Sequence, residues 1–528
     1  MSEAAAERLA AAGLGPDAPL MILSGNSIEH AVIHLAAMRI RAPVAPLSQA
    51  YSLASTDFGK LKSCFEIVRP KALFVQSAGP FAAALAALPL DDLIVISADD
   101  TPPAGVVRYL DLIGGQAGTL TRSQMDEITD DSVAKFMFTS GSTGAPKAVV
   151  QTQGMLCAQI AALNGLLEKS ADPRHVPDSL EWMPWSHISA GSIGLYAILA
   201  DGATLYLDDG KPVPGAFDLT IKNLYEVSPE VFGSAPIAYT LLADAMERDT
   251  RLRHSFFRNL KFMSYGGAAL SNDLYQRLQV LAVAETGYQV PFTTMYGATE
   301  TLGITVVNWL AERSGLIGLP IPGVTLKLVP HGPKYEVRVR GATVMNRYHG
   351  DPKRTATAFD EEGFYMLGDA VRLIDPSDAR QGLAFDGRLT EDFKLVSGTW
   401  VSVGTLRPAV VAACSPYVSD MVIAGEGQEF QAALLWLSPL AVRQMSSDSE
   451  GAQRMRAAIQ AKLVAFNAEQ TGSSRRIARA LILDTPPSID DGEITDKGYI
   501  NQRTALAKRA AQVTALYAAQ PGPEIILA

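Results

Sequence analysis

From residue 20 to about residue 300 the chain alternates short apolar segments with longer segments of helical period, and that alternation limits the folds open to it. Residues 72–76, 93–97, 133–139, 203–207 and 260–265 read as short buried strands. Residues 28–41 read as a helix with Ile33 and Ala37 on one face, and residues 155–168 as another. Beyond Gly266-Gly267 a third helix carries Leu270, Leu274, Leu278 and Leu281 at helical spacing, behind the polar start Ser271-Asn272-Asp273. Apolar strands alternating with amphipathic helices predict stacked α/β layers.

The pattern changes after about residue 315. Gly318-Leu-Pro-Ile-Pro-Gly323 is dense in turn residues, and Tyr335, Val337 and Val339 then alternate with Glu336, Arg338 and Arg340. Such alternation predicts a half-buried, antiparallel strand. The last part of the chain is a smaller α+β pattern, with strands near 421–424, 431–437 and 480–484 and a helix over 452–469. A boundary at Asp386-Gly387-Arg388 divides the chain into a large domain, 1–386, and a small one, 387–528. For 528 residues, that is two unequal domains where length alone suggests about three.

Composition removes several function classes. Lys plus Arg number 45 against 55 Asp plus Glu, so a formal charge of −10 gives no support to a nucleic-acid binder. Cys64, Cys157 and Cys414 lie far apart with no CxxC spacing, which favours neither a disulfide framework nor a structural zinc site. No apolar run reaches the length of a membrane span, and residues 81–90 read as core helix. The start, Met-Ser-Glu-Ala, lacks a basic and apolar leader, so a cytoplasmic location is expected.

The densest chemical signal is Thr139-Ser140-Gly141-Ser142-Thr143-Gly144-Ala145-Pro146-Lys147. Glycine frees backbone N–H groups to cradle phosphate oxygens, hydroxyls add donors, and the lysine adds charge. A Walker loop would require GxxxxGK[ST]; counted from Gly141, its second glycine position is Pro146, which has no N–H, and Ala148 follows the lysine. His30 and His34 stand four residues apart on a helix but lack the glutamate of HExxH, so zinc is not expected there. Asp178-Ser179-Leu180 mimics a carrier-protein attachment site without the preceding glycines.

The nonapeptide resembles the phosphate loop of the adenylate-forming superfamily, which includes acyl-CoA synthetases, peptide-synthetase adenylation domains and luciferases. Three further motifs follow in the family's order: Tyr296-Gly297-Ala298-Thr299-Glu300, Gly363-Phe-Tyr-Met-Leu-Gly-Asp369, and Gly387-Arg388 through Lys394. The resemblance implies a large N-terminal α/β domain, a mobile small C-terminal domain, and the substrates ATP and coenzyme A with Mg²⁺. It implies ATP or AMP contacts at Thr139, Ser140, Gly141, Ser142, Thr143, Gly144, Lys147, Gly267, Ala268, Ala269, Tyr296, Gly297, Asp369, Arg388 and Lys394. Glu300 is a hard oxygen ligand suited to Mg²⁺ on ATP phosphates, and Thr299 is expected to donate to the α-phosphate. Tyr296 would stack on adenine against the wall 267–269, and Asp369 would accept both ribose hydroxyls. The chain starts later than family members usually do, apparently without their first strands. Position 367 is leucine where the family usually has threonine.

Glu181-Trp-Met-Pro-Trp-Ser-His187, Asp392-Phe-Lys-Leu-Val-Ser-Gly-Thr-Trp400 and the segment 491–503 resemble the feruloyl-CoA synthase branch. That likeness implies a hydroxycinnamate substrate such as ferulate, with His187 as gate between acyl pocket and thiol tunnel. Lys497 is the expected adenylation lysine, although the family often places it directly after a glycine and here Glu493 follows Gly492. Residues 188–194 and 232–237 depart from the branch, and Thr390 stands at the usual hinge position. The expected partners are a carboxylic acid, ATP and CoA, with no nucleic acid and no membrane span; a homodimer is a further expectation. Rival readings are a medium- or long-chain fatty acyl-CoA synthetase, an acyl-AMP ligase, and a non-catalytic nucleotide-binding homologue.

Overall fold

In the strand Leu20–Leu23, Leu20 and Ile22 belong to one apolar core, Met21 and Leu23 to another. All four residues are at most 1% exposed, so both faces of this strand are covered. The computed structural model that shows this describes residues 1–528 except 116–117, 141–144, 167–174, 214, 267–269, 312–313, 333, 447–449 and 496–497. Leu20–Leu23 is the middle of a seven-stranded sheet, in the order Val107–Arg108, Ile94–Ser97, Ala72–Val75, Leu20–Leu23, Val44–Pro46, Val133–Ser140, Pro146–Thr152. The pairs are parallel except the last, an antiparallel hairpin.

A second sheet in the same unit runs Leu316–Pro320, Leu302–Val306, Phe292–Ala298, Phe262–Tyr265, Val231–Ser234, Asp178–Glu181, Thr204–Leu207. Its core is aromatic: Phe232, Tyr239, Phe256, Phe257 and Phe292 are almost fully buried. The helices begin where side chains can accept the orphan N–H groups of a first turn. Ser27 accepts from His30 N, Thr152 from Met155 N, and Ser271 from Leu274 N. Residues 81–90 hold only the short helix Ala82–Ala86, because Pro89 cannot continue it.

The chain divides into two units, but not at one cut. The larger is Met1–Lys327, Arg338–Leu367 and Leu373–Ala384; the smaller is Leu328–Val337, Gly368–Arg372 and Phe385–Ala528. A physical reason lies within the smaller unit. Lys334, 8% exposed, donates to Asp392 Oδ2 at 2.6 Å, to the Asp386 carbonyl at 2.7 Å and to Ser402 Oγ at 2.7 Å. That buried ion pair binds residues 328–337 to the segment after 385. The main sheet of this unit has four strands, Val418–Ala424, Gln431–Leu437, Ile477–Ile482 and Ile525–Leu527, and is covered on both faces.

One hairpin of the larger unit is unusually constrained. Phe292–Ala298 pairs antiparallel with Leu302–Val306, and the register shifts between Tyr296 and Gly297. Leu302 sits at φ 54°, a left-handed conformation that is rare for leucine. A Cβ on Gly297 would lie 1.7 Å from the Leu302 carbonyl oxygen. The turn so formed holds Thr299 and Glu300 at 5% and 8% exposure. Gly297→Ala is therefore expected to cost about 3 kcal/mol of stability, as overpacking does. Denaturant unfolding would measure this, and an unchanged midpoint would contradict the close approach.

Candidate active site

Thr139 pairs with Lys147, and Ser140 with Pro146, across the hairpin of Val133–Ser140 and Pro146–Thr152. The two ends of the nonapeptide are thus held side by side. Gly141, Ser142, Thr143 and Gly144 at its tip lie outside the described residues, as do Gly267, Ala268, Ala269 and Lys497. Lys147 Nζ lies 5.5 Å from the centre of the Tyr348 ring. Both residues line a cavity of about 610 Å³, with Arg69, His349 and Arg354 among its other walls.

Glu300 meets the same tyrosine at its hydroxyl. The Tyr348 hydroxyl donates to Glu300 Oε1 at 3.0 Å, and the backbone N–H of Met345 donates to the Glu300 carbonyl at 2.8 Å. Among the described residues no group of three or more His, Cys, Asp or Glu side chains could hold a metal. A single sheltered carboxylate fits Mg²⁺, which commonly takes one or two carboxylates and completes its shell with water and substrate phosphates.

Behind Thr299 runs a buried chain of hydrogen bonds. Lys135 Nζ donates to the Gly191 carbonyl and to Ser192 Oγ at 3.3 Å. Ser192 Oγ donates to Gln151 Oε1 at 2.7 Å, and Gln151 Nε2 donates to the Thr299 carbonyl at 3.2 Å. Gly191 and Ser192 belong to the π-helical turn Ser189–Gly194. Gly191 makes the turn possible, since a Cβ there would meet the Trp185 carbonyl oxygen at 1.8 Å. π-Turns are uncommon and concentrate at functional sites. His187 stands at the entry to this turn, and its Nδ1 lies 2.6 Å from Ser189 Oγ. Because the Ser189 N–H also donates to Nδ1, the neutral ring carries its proton on Nε2.

The group around Lys135 is basic and dry. His30 Nδ1 donates to the Gly25 carbonyl at 2.9 Å, and His34 Nε2 lies 2.7 Å from the Tyr196 hydroxyl. Burial pushes His30 down to about 4 and His34 well below its ordinary range, with the Lys135 charge adding to both. The two rings are neutral near pH 7, and a neighbouring ammonium disfavours a metal cation there. Burial also pushes Lys135 down to about 7. Glu181, beside Gly194 of the π-turn, is pushed up to about 7 for the same reason.

The smaller unit holds the other expected contacts. Asp369, 4% exposed, pairs with Arg388 through a 3.0 Å contact between Oδ1 and Nε. Arg388 is exposed, so its guanidinium can reach a ligand while it neutralises the aspartate. Lys394 is exposed and stacks on Trp400, 4.9 Å from the ring centre. In the larger unit, Tyr296 is half-buried against the core beside the first sheet.

Residues 1–349 match the family model described as AMP-binding enzyme, and residues 394–521 match the AMP-binding enzyme C-terminal domain. The chain belongs to the AMP-binding enzyme family. It is 26% identical to the carboxylic acid reductase of Segniliparus rugosus over 79% of this chain, but spans only 36% of that protein. It is 25% identical to 4-coumarate--CoA ligase of Pinus taeda, covering 94% of this chain and 87% of the ligase. To 3-hydroxybenzoate--CoA ligase of Aromatoleum sp. it is 26% identical over 79% of this chain and 75% of that one. Among solved structures it shares the fold of ATP-bound MatB from Rhodopseudomonas palustris, at TM-score 0.72 and 20% identity over 97% of this chain and 92% of that one. The adenylation domain of a carboxylate reductase from Mycobacterium chelonae gives 0.73 at 20%, over 98% and 83%. The architecture expected from the motifs, a large mixed α/β domain and a smaller C-terminal domain, is that of these adenylate-forming enzymes.

Sequence reading missed Lys135, Gln151, Tyr348 and Tyr365. The first two did leave a signal: each is a polar residue in an otherwise apolar strand. Lys135 carries a consequence for stability. Unfolded, a lysine keeps its proton to about pH 10.4; folded, this one releases it near 7. Between those values the unfolded chain binds the extra proton, so stability rises with pH. Comparing Lys135→Met with the parent by denaturant unfolding from pH 7 to 10 should remove about 1.4 kcal/mol per pH unit of that slope. Equal slopes would show that Lys135 keeps its proton in the folded chain over that range, and so that burial does not depress it.

Proposed function

We propose that the protein is an AMP-forming carboxylic acid:CoA ligase. The carrying observation is that family membership spans both domains while Tyr348 in the larger one bonds Glu300 through its hydroxyl and has Lys147 over its ring. A carboxylate oxygen attacks the α-phosphorus of ATP, pyrophosphate leaves, and an acyl-adenylate results. The CoA thiolate then attacks the acyl carbon, and AMP leaves. Glu300 would hold Mg²⁺, which would supply charge neutralisation on the phosphates. Lys147 and the donors of the Thr139–Lys147 loop hold the phosphate oxygens. Thr299 N–H or Oγ1 donates to the α-phosphate, and Lys497 adds positive charge as the phosphorus becomes pentavalent. Asp369 and Arg388 hold the ribose, and Tyr296 packs on adenine, with Gly267, Ala268 and Ala269 opposite.

For the acid, the reading is an aromatic carboxylate of the hydroxycinnamate or benzoate class, in a cytoplasmic enzyme. Two of the relatives are ligases of 4-coumarate and 3-hydroxybenzoate. The partial overlap with a carboxylic acid reductase favours one rival: an adenylating unit that hands the acyl group to a carrier-bound thiol.

A panel of hydroxycinnamates, benzoates and fatty acids, assayed for CoA-dependent AMP release, would decide. The expectation is highest kcat/KM with an aromatic acid and a loss of at least about a hundredfold in Lys497→Ala, the scale of one transition-state charge contact. A preference for long aliphatic acids would overturn the substrate class. Acyl-AMP accumulating without thioester formation would favour the carrier-linked rival.

A further inference from the structure

Two phenols stand in line behind Glu300: Tyr348 donates to its Oε1 at 3.0 Å, and the Tyr365 hydroxyl lies 3.2 Å from that of Tyr348. Tyr348 commits its one proton to the carboxylate, so its oxygen is left to accept from Tyr365. Tyr348 is 4% and Tyr365 7% exposed, and both pack in the core that covers the first sheet. The face of the Tyr348 ring meets the Lys147 ammonium at the cavity wall.

We propose that Tyr348 and Tyr365 are positioning residues: the Tyr348 hydroxyl, itself held by that of Tyr365, fixes the Glu300 carboxylate in one orientation for Mg²⁺, while the Tyr348 ring holds Lys147 at the phosphate loop. The inference rests on the reading of Glu300 as the metal carboxylate given above. Three features carry it. The Tyr348 hydroxyl binds one oxygen of a carboxylate that is 8% exposed in its turn. Oε2 is thereby aimed by the bond that Oε1 makes. One rigid ring also sets the separation between the metal-side anion and the phosphate-side cation, which flexible side chains would not hold alone.

Equilibrium binding tests this without turnover. Mn²⁺ is titrated by electron paramagnetic resonance into the full-length enzyme with ATP and no acid, and ATP affinity is measured separately in chelator. Tyr348→Phe keeps the ring and loses the hydroxyl; it should weaken Mn²⁺ about tenfold, the lower end of what loss of a partner behind a ligand costs, and leave metal-free ATP affinity within twofold. Tyr348→Leu should weaken both. Tyr365→Phe should weaken Mn²⁺ alone, and the two phenylalanine changes together should cost less than the product of each. If Tyr348→Phe and Tyr365→Phe bind Mn²⁺ as the parent does while Glu300→Gln loses it, the positioning role is overturned and the metal reading stands. If Glu300→Gln also binds Mn²⁺ normally, the metal reading itself falls.

Discussion

The hydrogen-bond chain from Lys135 through Ser192 and Gln151 to the Thr299 carbonyl ties together the segments of the larger unit that carry the proposed chemistry. It crosses four segments remote in sequence: the strand leading into the phosphate loop, the strand leaving it, the π-turn after His187, and the turn that carries Thr299 and Glu300. Each group in it is buried, and a buried donor without a partner costs more than a made bond returns. The chain therefore works as a register device. A shift of any one segment would strand a polar group in the core.

The cost of the device is visible in Lys135. Its ammonium touches neutral oxygens, the Gly191 carbonyl and the Ser192 hydroxyl, and burial depresses its basicity. Gly191 and Gly297 contribute by absence, since a side chain at either would strike backbone at 1.8 Å or 1.7 Å. Both glycines bring backbone within contact of backbone at the two turns that flank the proposed chemistry.

Local patterns carried much of this into the sequence. The strand segments near 72, 94, 133, 204 and 262 and the helix Asn272–Thr286 stand where apolar runs and cap residues put them, because burial on both faces and an N-cap are local properties. The Thr299–Glu300 motif was legible as chemistry, but its supports were not. Tyr348 lies 48 residues from Glu300, and Gln151 lies 148 from Thr299, so nothing in the spacing announces them. His30 and His34 looked like a lone pair on a helix and prove to be neutral, stacked rings beside a buried lysine. The half-buried strand at 334–340 was legible from its alternation, whereas the burial of the Lys334 charge between Asp386 and Asp392 was not.

The central claim is formation of an acyl-adenylate, and acid-stimulated exchange of labelled pyrophosphate into ATP isolates that step from everything after it. With CoA omitted, the account predicts exchange that requires Mg²⁺ and rises with an aromatic carboxylate. A folded protein that binds ATP but shows no exchange with any carboxylate would contradict it.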